Sequence, residues 1–329
     1  MSNDRNEVLK ELNQFVETQL SLLLPVEKCW QPSDLLPDLT REDWQDQTAS
    51  WRQAAESVPD DVLITLVANM VTEEALPTYH AWLANLETGF DRTGHGDDGI
   101  ALWMRGWVAE EKRHGDVLAR YLYLTGRVNM RAVEITIHNL LRNGFNPGTQ
   151  NDIYMGFIYT SFQERATYVA HTGTGKAAKK AGDKNLAKIC DFVAGDEVRH
   201  EKGYERFVNH LFSIDPDRSM IALEKMMKHT IVMPSRLMSD NVDPDLFGIF
   251  SAITQRNGIY TALDYAQIMD HVVRLWKIGD QPVRSDAAKS AQDYVAQLPG
   301  RYMKMAERSM ARMTKVPPRP LSWIFDRTV

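Results

Sequence analysis

Two short segments of the sequence pair a glutamate with a histidine three positions later. EEKRHG contains Glu111 and His114, and DEVRHE contains Glu197 and His200. On an α-helix, residues i and i+3 lie on one face, so each pair can bind a single metal ion. With 44 acidic residues and 9 histidines among 329 residues, about one such spacing is expected by chance. The residues around the two pairs must therefore decide whether they form one metal centre.

Each pair is preceded by another glutamate in an otherwise apolar stretch. Glu73 lies in MVTEEALPTY, upstream of the first pair, and Glu164 lies in FIYTSFQERATY, upstream of the second. A helix with Glu followed by a helix with Glu-x-x-His thus occurs twice. Four glutamates and two histidines on four helices are the ligand set of ferritin-like di-iron carboxylate proteins. Carboxylates can bridge ions and imidazole suits iron, so the pattern predicts a metal centre; the ligand types permit manganese as well.

The elements that must position these residues are helices, because alternating β-branched runs are scarce. The apolar periodicity predicts five long helices, near residues 59–89, 99–124, 129–142, 153–180 and 184–212, and further helices near 219–230, 244–256, 259–277 and 285–313. Pro77 should kink the first helix. The fold class expected is all-α: one domain, residues 1–329, with a ferritin-like four-helix bundle core, additional helices and an extended Pro-rich C-terminal tail, KVPPRPLSWIFDRTV, along the surface.

Composition narrows the class of protein. Hydrophobic residues make up 43%, charged residues 25%, and the net charge is −6, which disfavours a nucleic-acid partner. Cys29 and Cys190 form no CxxC pair, so a disulfide scaffold or zinc ribbon is not expected. No apolar run reaches the ~18 residues of a transmembrane segment. The start, MSNDRNEVLKEL, lacks signal or transit character. We expect a cytoplasmic protein if the source is bacterial, and the plastid stroma for a mature plant or algal chain.

Longer strings carry a resemblance to a known family. They are CWQPSDLLPD, TEEALPTYH, EEKRHGD, YLYLTGRVNMR, GFIYTSFQERATY, DEVRHE, AQDYVAQLPGR and SWIFDR. Over about residues 25–329 the chain resembles the soluble acyl-[acyl-carrier-protein] desaturases of the stearoyl-carrier-protein 9-desaturase type. The resemblance implies a homodimeric enzyme of fatty acid biosynthesis with two iron ions per subunit. Using O₂ and electrons from ferredoxin, it would introduce a cis double bond into a saturated acyl chain on acyl carrier protein.

By position, the resemblance assigns roles to the six candidate metal ligands. These are Glu73, Glu111, His114, Glu164, Glu197 and His200. Glu111 and Glu164 are expected to bridge the two irons, and the remaining Glu and His of each half complete one iron each. Glu74 follows a ligand but points about 100° away on a helix, so it is not expected to bind metal.

Three further residues, Thr167, Asp196 and Trp30, are expected to act in catalysis. Thr167 lies one turn after Glu164, and by resemblance it sits in the oxygen pocket and helps to deliver protons. The ordinary alternative is a helical threonine bonded to a backbone carbonyl. Trp30 resembles a tryptophan proposed to carry electrons toward iron through Asp196 and His114. The ordinary alternative is a core tryptophan.

Asp196 and Glu110 immediately precede the two Glu-x-x-His pairs. Because a metal-bound histidine usually donates its second N–H to a carboxylate, our hypothesis is that these acids accept those N–H groups, across the pseudo-symmetric site. The alternative is that they only form ion pairs with Arg113 and Arg199.

An acyl chain needs a long apolar tunnel. Eight candidate wall residues are Tyr79, Trp82, Leu83, Leu86, Pro147, Gly156, Phe157 and Thr160. Most apolar residues here would be core in any helical protein. Trp82 is bulkier than the residue expected in plant enzymes, and if it faces the tunnel it shortens the preferred chain.

An acidic carrier protein would dock on a basic surface. One local run contains Lys176, Lys179, Lys180 and Lys184, and another contains Lys225 and Lys228. Either run can also be an ordinary solvated helix face.

Three other functions remain open at this point. They are a di-iron hydroxylase or oxidase acting on another acyl substrate, a non-catalytic ferritin-like iron-binding protein, and a helical protein whose Glu and His are only structural. The ligands do not distinguish the first of these from a desaturase. The sequence leaves open the double-bond position, the acyl chain length, the natural ferredoxin and the source organism.

Overall fold

The computed structural model describes residues 4–87, 91–312 and 318–329, and α-helices dominate this part of the chain. Within it, the β-structure is one isolated antiparallel bridge between Pro320 and Thr328. The helices are α1 (Arg5–Thr18), α2 (Trp44–Glu56), α3 (Asp60–Glu73), α4 (Leu76–Ala84), α5 (Gly99–Thr125), α6 (Met130–Asn143), α7 (Ile153–Ala181), α8 (Lys184–Ile214), α9 (Pro216–Met227), α10 (Leu246–Asn257), α11 (Ala262–Leu275), α12 (Asp286–Ala296) and α13 (Leu298–Arg312). The all-α prediction is confirmed.

Two predicted helices are each divided in two. The helix expected over 59–89 ends at Glu73, and α4 begins at Leu76 with Pro77 in its first turn. Its expected end near Gly89 lies outside the described residues. The helix expected over 285–313 divides at Gln297, and Pro299 occupies the first turn of α13. In both places proline lacks an N–H and clashes with the preceding turn, so the chain starts a new helix rather than bending one.

Helices α3, α5, α7 and α8 carry the six candidate ligands. Helix α7 packs along α8, and α5 contacts both α3 and α8. The three longest helices begin with an aspartate whose side chain accepts a backbone N–H of the first turn: Asp98, Asp152 and Asp183. The tight connection from α7 to α8 passes through Gly182, whose φ of 100° favours glycine. These caps and this turn fix where each long helix begins.

The chain ends with a segment anchored in the core. Residues 315–317 of the expected tail lie outside the described part. Beyond them, Trp323 is fully buried, and its Nε1 donates to Thr136 Oγ1 at 3.0 Å. Arg327 donates to both carboxylate oxygens of Asp60, in the first turn of α3. The tail therefore holds α3 and α6 together, in addition to covering surface.

Apolar side chains from Val8 to Ile324 form one continuous buried cluster. Among the described helices, none is both long enough and apolar enough to cross a membrane.

Candidate metal centre

The six candidate ligands converge in the middle of the four helices, and all six side chains are buried. Their ligand atoms form two groups, within each of which the atoms lie no more than 4.8 Å apart. One group contains Glu73 and His114, the other contains Glu164 and His200, and Glu111 and Glu197 belong to both. The expected bridging pair is therefore corrected: Glu197, and not Glu164, accompanies Glu111 between the two positions.

Both histidines point Nδ1 into the cluster. His114 Nδ1 lies 3.0 Å from Glu111 Oε2 and 3.2 Å from Glu197 Oε1. His200 Nδ1 lies 2.6 Å from Glu111 Oε1 and 3.6 Å from Glu164 Oε2.

Several of these inward atoms face one another at short range without a hydrogen bond of acceptable angle: both Nδ1 atoms, both oxygens of Glu164, and one oxygen each of Glu111 and Glu197. Buried polar atoms are almost always satisfied in folded proteins. A concentration of unsatisfied carboxylate and imidazole atoms facing one another therefore fits metal cations.

The outer nitrogens of the two histidines contact acids from the opposite helix. His114 Nε2, on α5, lies 3.2 Å from Asp196 Oδ2 on α8. His200 Nε2, on α8, lies 3.1 Å from Glu110 Oε2 on α5. An N–H donated to a carboxylate fixes the tautomer and leaves Nδ1 free as a ligand.

The expected contacts of each histidine with the acid on the opposite helix are therefore present. The ion pairs of the same acids with arginines, which were the alternative, are present as well. Arg113 donates to Asp196 at 2.8 Å, and Arg199 donates to Glu110 at 2.6 Å. Burial raises the pKa of Asp196, but the hydrogen bond and charge of His114, followed by the charges of the two arginines, outweigh it and lower that pKa to about 2. Both acids are therefore held as carboxylates, since the His200 and Arg199 contacts likewise lower the pKa of Glu110 against burial.

Trp30 reaches the same network from the surface side. Its Nε1 donates to Asp196 Oδ2 at 2.9 Å, and its ring stacks near His114 with centroids 6.0 Å apart. The Arg113 guanidinium lies over the indole, 4.7 Å from the centroid. Trp30 is only partly buried. The structure thus brings Trp30, Asp196 and His114 into continuous contact.

The charges of His114 and His200 lower the pKa of Glu111 despite its burial. Burial prevails at Glu73 and Glu164. It raises the pKa of Glu73 to about 7, even though the hydrogen bond from His171 acts in the opposite direction. Burial and the charge of Glu111 raise the pKa of Glu164 well above its usual range. Several carboxylates in one dry space repel each other, and bound cations remove that cost.

Comparison with known proteins identifies the family. The model of the fatty acid desaturase family matches residues 4–325. The chain is 47% identical over 330 residues to the chloroplastic stearoyl-[acyl-carrier-protein] 9-desaturases of Spinacia oleracea and Ricinus communis, covering 100% of this chain and 83% of each relative. The chain belongs to the fatty acid desaturase family. An acyl-[acyl-carrier-protein] desaturase of Cucumis sativus, also chloroplastic, matches this desaturase at 47% identity over the same shares.

A solved structure shares the fold of the desaturase. It is the X-ray structure of a putative acyl-carrier-protein desaturase from Mycobacterium tuberculosis H37Rv, with a TM-score of 0.53 and 19% identity, over 87% of this chain and 99% of that one.

A mostly apolar cavity of about 600 Å³ reaches the candidate metal centre of the desaturase. It runs between α3, α7, α10, α11 and α13, and its inner end is lined by Glu73, Thr167 and His171. The Thr167 hydroxyl lies 2.8 Å from Glu197 Oε2 and 3.0 Å from the Glu164 carbonyl, and can donate to either. The geometry therefore supports both a contact of Thr167 with the candidate site and the ordinary helical bond to a backbone carbonyl. Its side chain lies where the cavity meets the site.

His171 is a site residue that the sequence reading missed. Its Nε2 lies 2.9 Å from Glu73 Oε1, and the side chain is buried. The signal was available, because Glu164, Thr167 and His171 are spaced three and four apart and so share one face of α7. His171 engages one oxygen of Glu73, whereas neither oxygen of Glu164 has a partner, so the two halves of the site are not equivalent.

The eight predicted tunnel walls lie elsewhere. None lines the described surface of the cavity that reaches Glu73; they are Tyr79, Trp82, Leu83, Leu86, Pro147, Gly156, Phe157 and Thr160. Trp82 instead lines an outer pocket of about 1070 Å³ and donates its Nε1 to Thr149 at 2.8 Å.

Most of the remaining predicted wall residues are packed as core. A Cβ at Gly156 would lie 2.6 Å from Leu86 Cδ1, and Trp82 stands edge-on to Tyr159 with ring centroids 5.3 Å apart. Aromatic and aliphatic packing fills this region, so its part in binding an acyl chain stays a prediction.

Proposed function

We propose that the chain holds two iron ions per subunit and introduces a cis double bond into a saturated acyl chain carried on acyl carrier protein. The activity is that of an acyl-[acyl-carrier-protein] desaturase of fatty acid biosynthesis, by its family and its 47% identity to such enzymes over the full chain. The observation that supports the metal assignment is the inward ring of unsatisfied carboxylate and imidazole atoms. The relatives' names supply the carrier-bound substrate, which the apolar cavity suits.

The proposed ligands divide between the two ions by position. Glu73 and His114 would hold one ion and Glu164 and His200 the other, and Glu111 and Glu197, which belong to both groups of ligand atoms, would contribute to both positions. When bound, the iron pair supplies the activation of O₂ and the oxidation of two C–H bonds. Manganese fits the same ligand types, and metal analysis separates the two.

The protein's own residues then have separate tasks. Thr167 is proposed to hold a proton where the cavity meets Glu197, since its hydroxyl touches that carboxylate. The contact series from Trp30 through Asp196 to His114 is the proposed route for electrons from ferredoxin. Two electrons and two protons, together with the two hydrogens taken from the acyl chain, balance the reduction of O₂ to two waters.

The assembly and compartment are proposed on the same family basis. We propose a homodimer in which residues 1–329 act as one functional domain. The relatives are named chloroplastic. For a plant or algal source we propose the plastid stroma, and for a bacterial source the cytoplasm.

Turnover of the iron-loaded protein tests this function. O₂, ferredoxin, its reductase and saturated acyl-carrier-proteins of several lengths are supplied, and products are read by mass spectrometry. A product lighter by two hydrogens, with a located double bond, is expected. A product heavier by one oxygen would show that the enzyme is a hydroxylase and not a desaturase. No product from protein carrying two irons per chain would remove the substrate assignment.

A further inference from the structure

The mouth of the cavity leading to the metal centre is bordered by one face of α13. Tyr302, Met305, Ala306 and Ser309 line the cavity, at the spacing of a single helix face. Met305 is nevertheless 60% exposed, which is high for a cavity-lining methionine. Arg236 also lines the cavity and is exposed. Met305 and Arg236 therefore lie where the cavity opens to solvent.

A stripe of cations runs beside this opening. Arg301, Lys304 and Arg308 are exposed on α13, and the spacing of three and four residues places them on one stripe next to Met305. Glu307 is the acid within the same stretch of helix.

A neighbouring element extends the basic surface. Lys228 Nζ and the Arg301 guanidinium each lie 5.7 Å from the centroid of the Tyr294 ring. The second basic run of the sequence thus meets the α13 stripe at this ring. Glu224 partly balances Lys228, 2.9 Å away. We call Lys228, Arg236, Arg301, Lys304, Met305 and Arg308 the mouth face.

The first basic run occupies a different place. On α7 the cavity lining stops at His171, and Lys179 and Lys180 lie in the last turn. At 1.5 Å per residue they are about 12 Å further along the helix. The following turn at Gly182 lies against Ser57, the C-cap of α2. This run therefore does not border the opening.

We infer that the mouth face is the docking surface for the acyl carrier protein. This inference rests on the proposed function. A 600 Å³ cavity admits an acyl chain but not a protein, so a carrier delivering that chain must remain on the rim of the opening. The chain as a whole carries −6 and repels an acidic partner, so a locally basic rim is needed to attract it. Met305 supplies an apolar contact at the centre of that rim.

The test compares two charge reversals of equal size in the iron-loaded full chain. One variant is Lys304→Glu with Arg308→Glu on the mouth face. The matched control is Lys179→Glu with Lys180→Glu on α7, another exposed helical pair. The dissociation constant of holo-acyl-carrier-protein is measured by fluorescence anisotropy at 50 and 200 mM salt. Circular dichroism melting and iron content verify folding, and Lys304→Ala with Arg308→Ala serves if the reversal perturbs α13.

The mouth-face reversal is expected to weaken carrier binding by about tenfold at 50 mM salt and to reduce its salt dependence. The control reversal is expected to stay within about twofold of the original protein. Equal weakening in both variants, or weakening in the control alone, overturns the docking assignment. Binding needs no turnover, so the two proposals fail separately. If the mouth-face reversal selectively weakens carrier binding but the original protein gives no desaturated product, only the proposed function is refuted. If the original protein gives the product but the mouth-face reversal binds the carrier as well as before, only the docking surface is refuted.

Discussion

Asp196→Asn tests whether the crossed contacts of the site control metal binding. Asp196 Oδ2 accepts from Trp30, Arg113 and His114, and Oδ1 accepts from Arg199. Asparagine keeps the shape of the side chain but removes its charge, and it places an amide N–H₂ where one oxygen accepted a bond. If its oxygen stays with the three donors, the N–H₂ faces the Arg199 guanidinium, and two donors oppose each other.

The size of the effect follows from what His114 loses. A carboxylate on the outer nitrogen makes the imidazole a stronger metal ligand, and loss of such a partner typically costs 10–100-fold in metal affinity. That factor corresponds to about 1.4–2.7 kcal/mol. Because the contact is crossed, the loss should fall on the ion position of His114, although Asp196 belongs to the segment that contains His200.

The assay is competition between the protein and a chelator for cobalt(II) or iron(II), with NMR of the cobalt-loaded protein. Two paramagnetically shifted imidazole N–H signals are expected before mutation. Asp196→Asn should move the signal of His114, and Glu110→Gln should move that of His200. Asp191→Asn, an exposed acid on the same helix, is the control. Unchanged affinity in Asp196→Asn, or a change confined to the His200 signal, would refute the reasoning.

Three more predictions concern other parts of the molecule. Trp82→Met should shift the preferred acyl-carrier-protein substrate toward longer chains, by opening the apolar packing against Tyr159 to the end of the acyl chain. Trp44→Met on exposed α2 should leave that preference unchanged, and an unchanged product profile in Trp82→Met would count against a role for Trp82. Gly203→Ala should lower the free energy of unfolding by about 1–3 kcal/mol, because the added Cβ would meet the Trp103 ring. Gly195→Ala should raise the free energy of unfolding by up to about 1 kcal/mol, because the space around its Cβ is open. Denaturant titration measures both changes. Hydrogen bonds to Glu201 and Glu205 raise the pKa of His271 to about 9. The stabilisation of the fold by these bonds is therefore complete below the unfolded pKa near 6.5 and is lost as pH rises through 9. His271→Gln should flatten the dependence of the melting temperature on pH across that interval, and a retained slope would contradict this prediction.

Part of the candidate ligand cluster could be predicted from the sequence, because residues three positions apart share one face of a helix. Glu111 with His114, and Glu197 with His200, share a helix face whatever the tertiary structure, so their pairing needed no coordinates. Which glutamates lie between the two positions depends on how four helices pack. The sequence reading therefore chose Glu164 where the structure places Glu197.

The course of the cavity could not be predicted in the same way. Its walls come from α3, α7, α10, α11 and α13, and contacts between helices far apart in sequence are set by packing rather than by local pattern. The predicted walls behind Gly156 are apolar, as a tunnel requires, but apolar residues also fill cores. Only tertiary structure separates the two.

The anchoring of α3 by the tail has a consequence for biosynthesis. Asp60 and its partner Arg327 are separated by 267 residues. At typical translation rates of 5–20 residues per second, Arg327 is made on the order of tens of seconds after Asp60. The helix that ends in Glu73 therefore leaves the ribosome long before its last support exists. A nascent chain in this interval would carry the candidate ligand Glu73 on a helix that still lacks its ion pair with the tail.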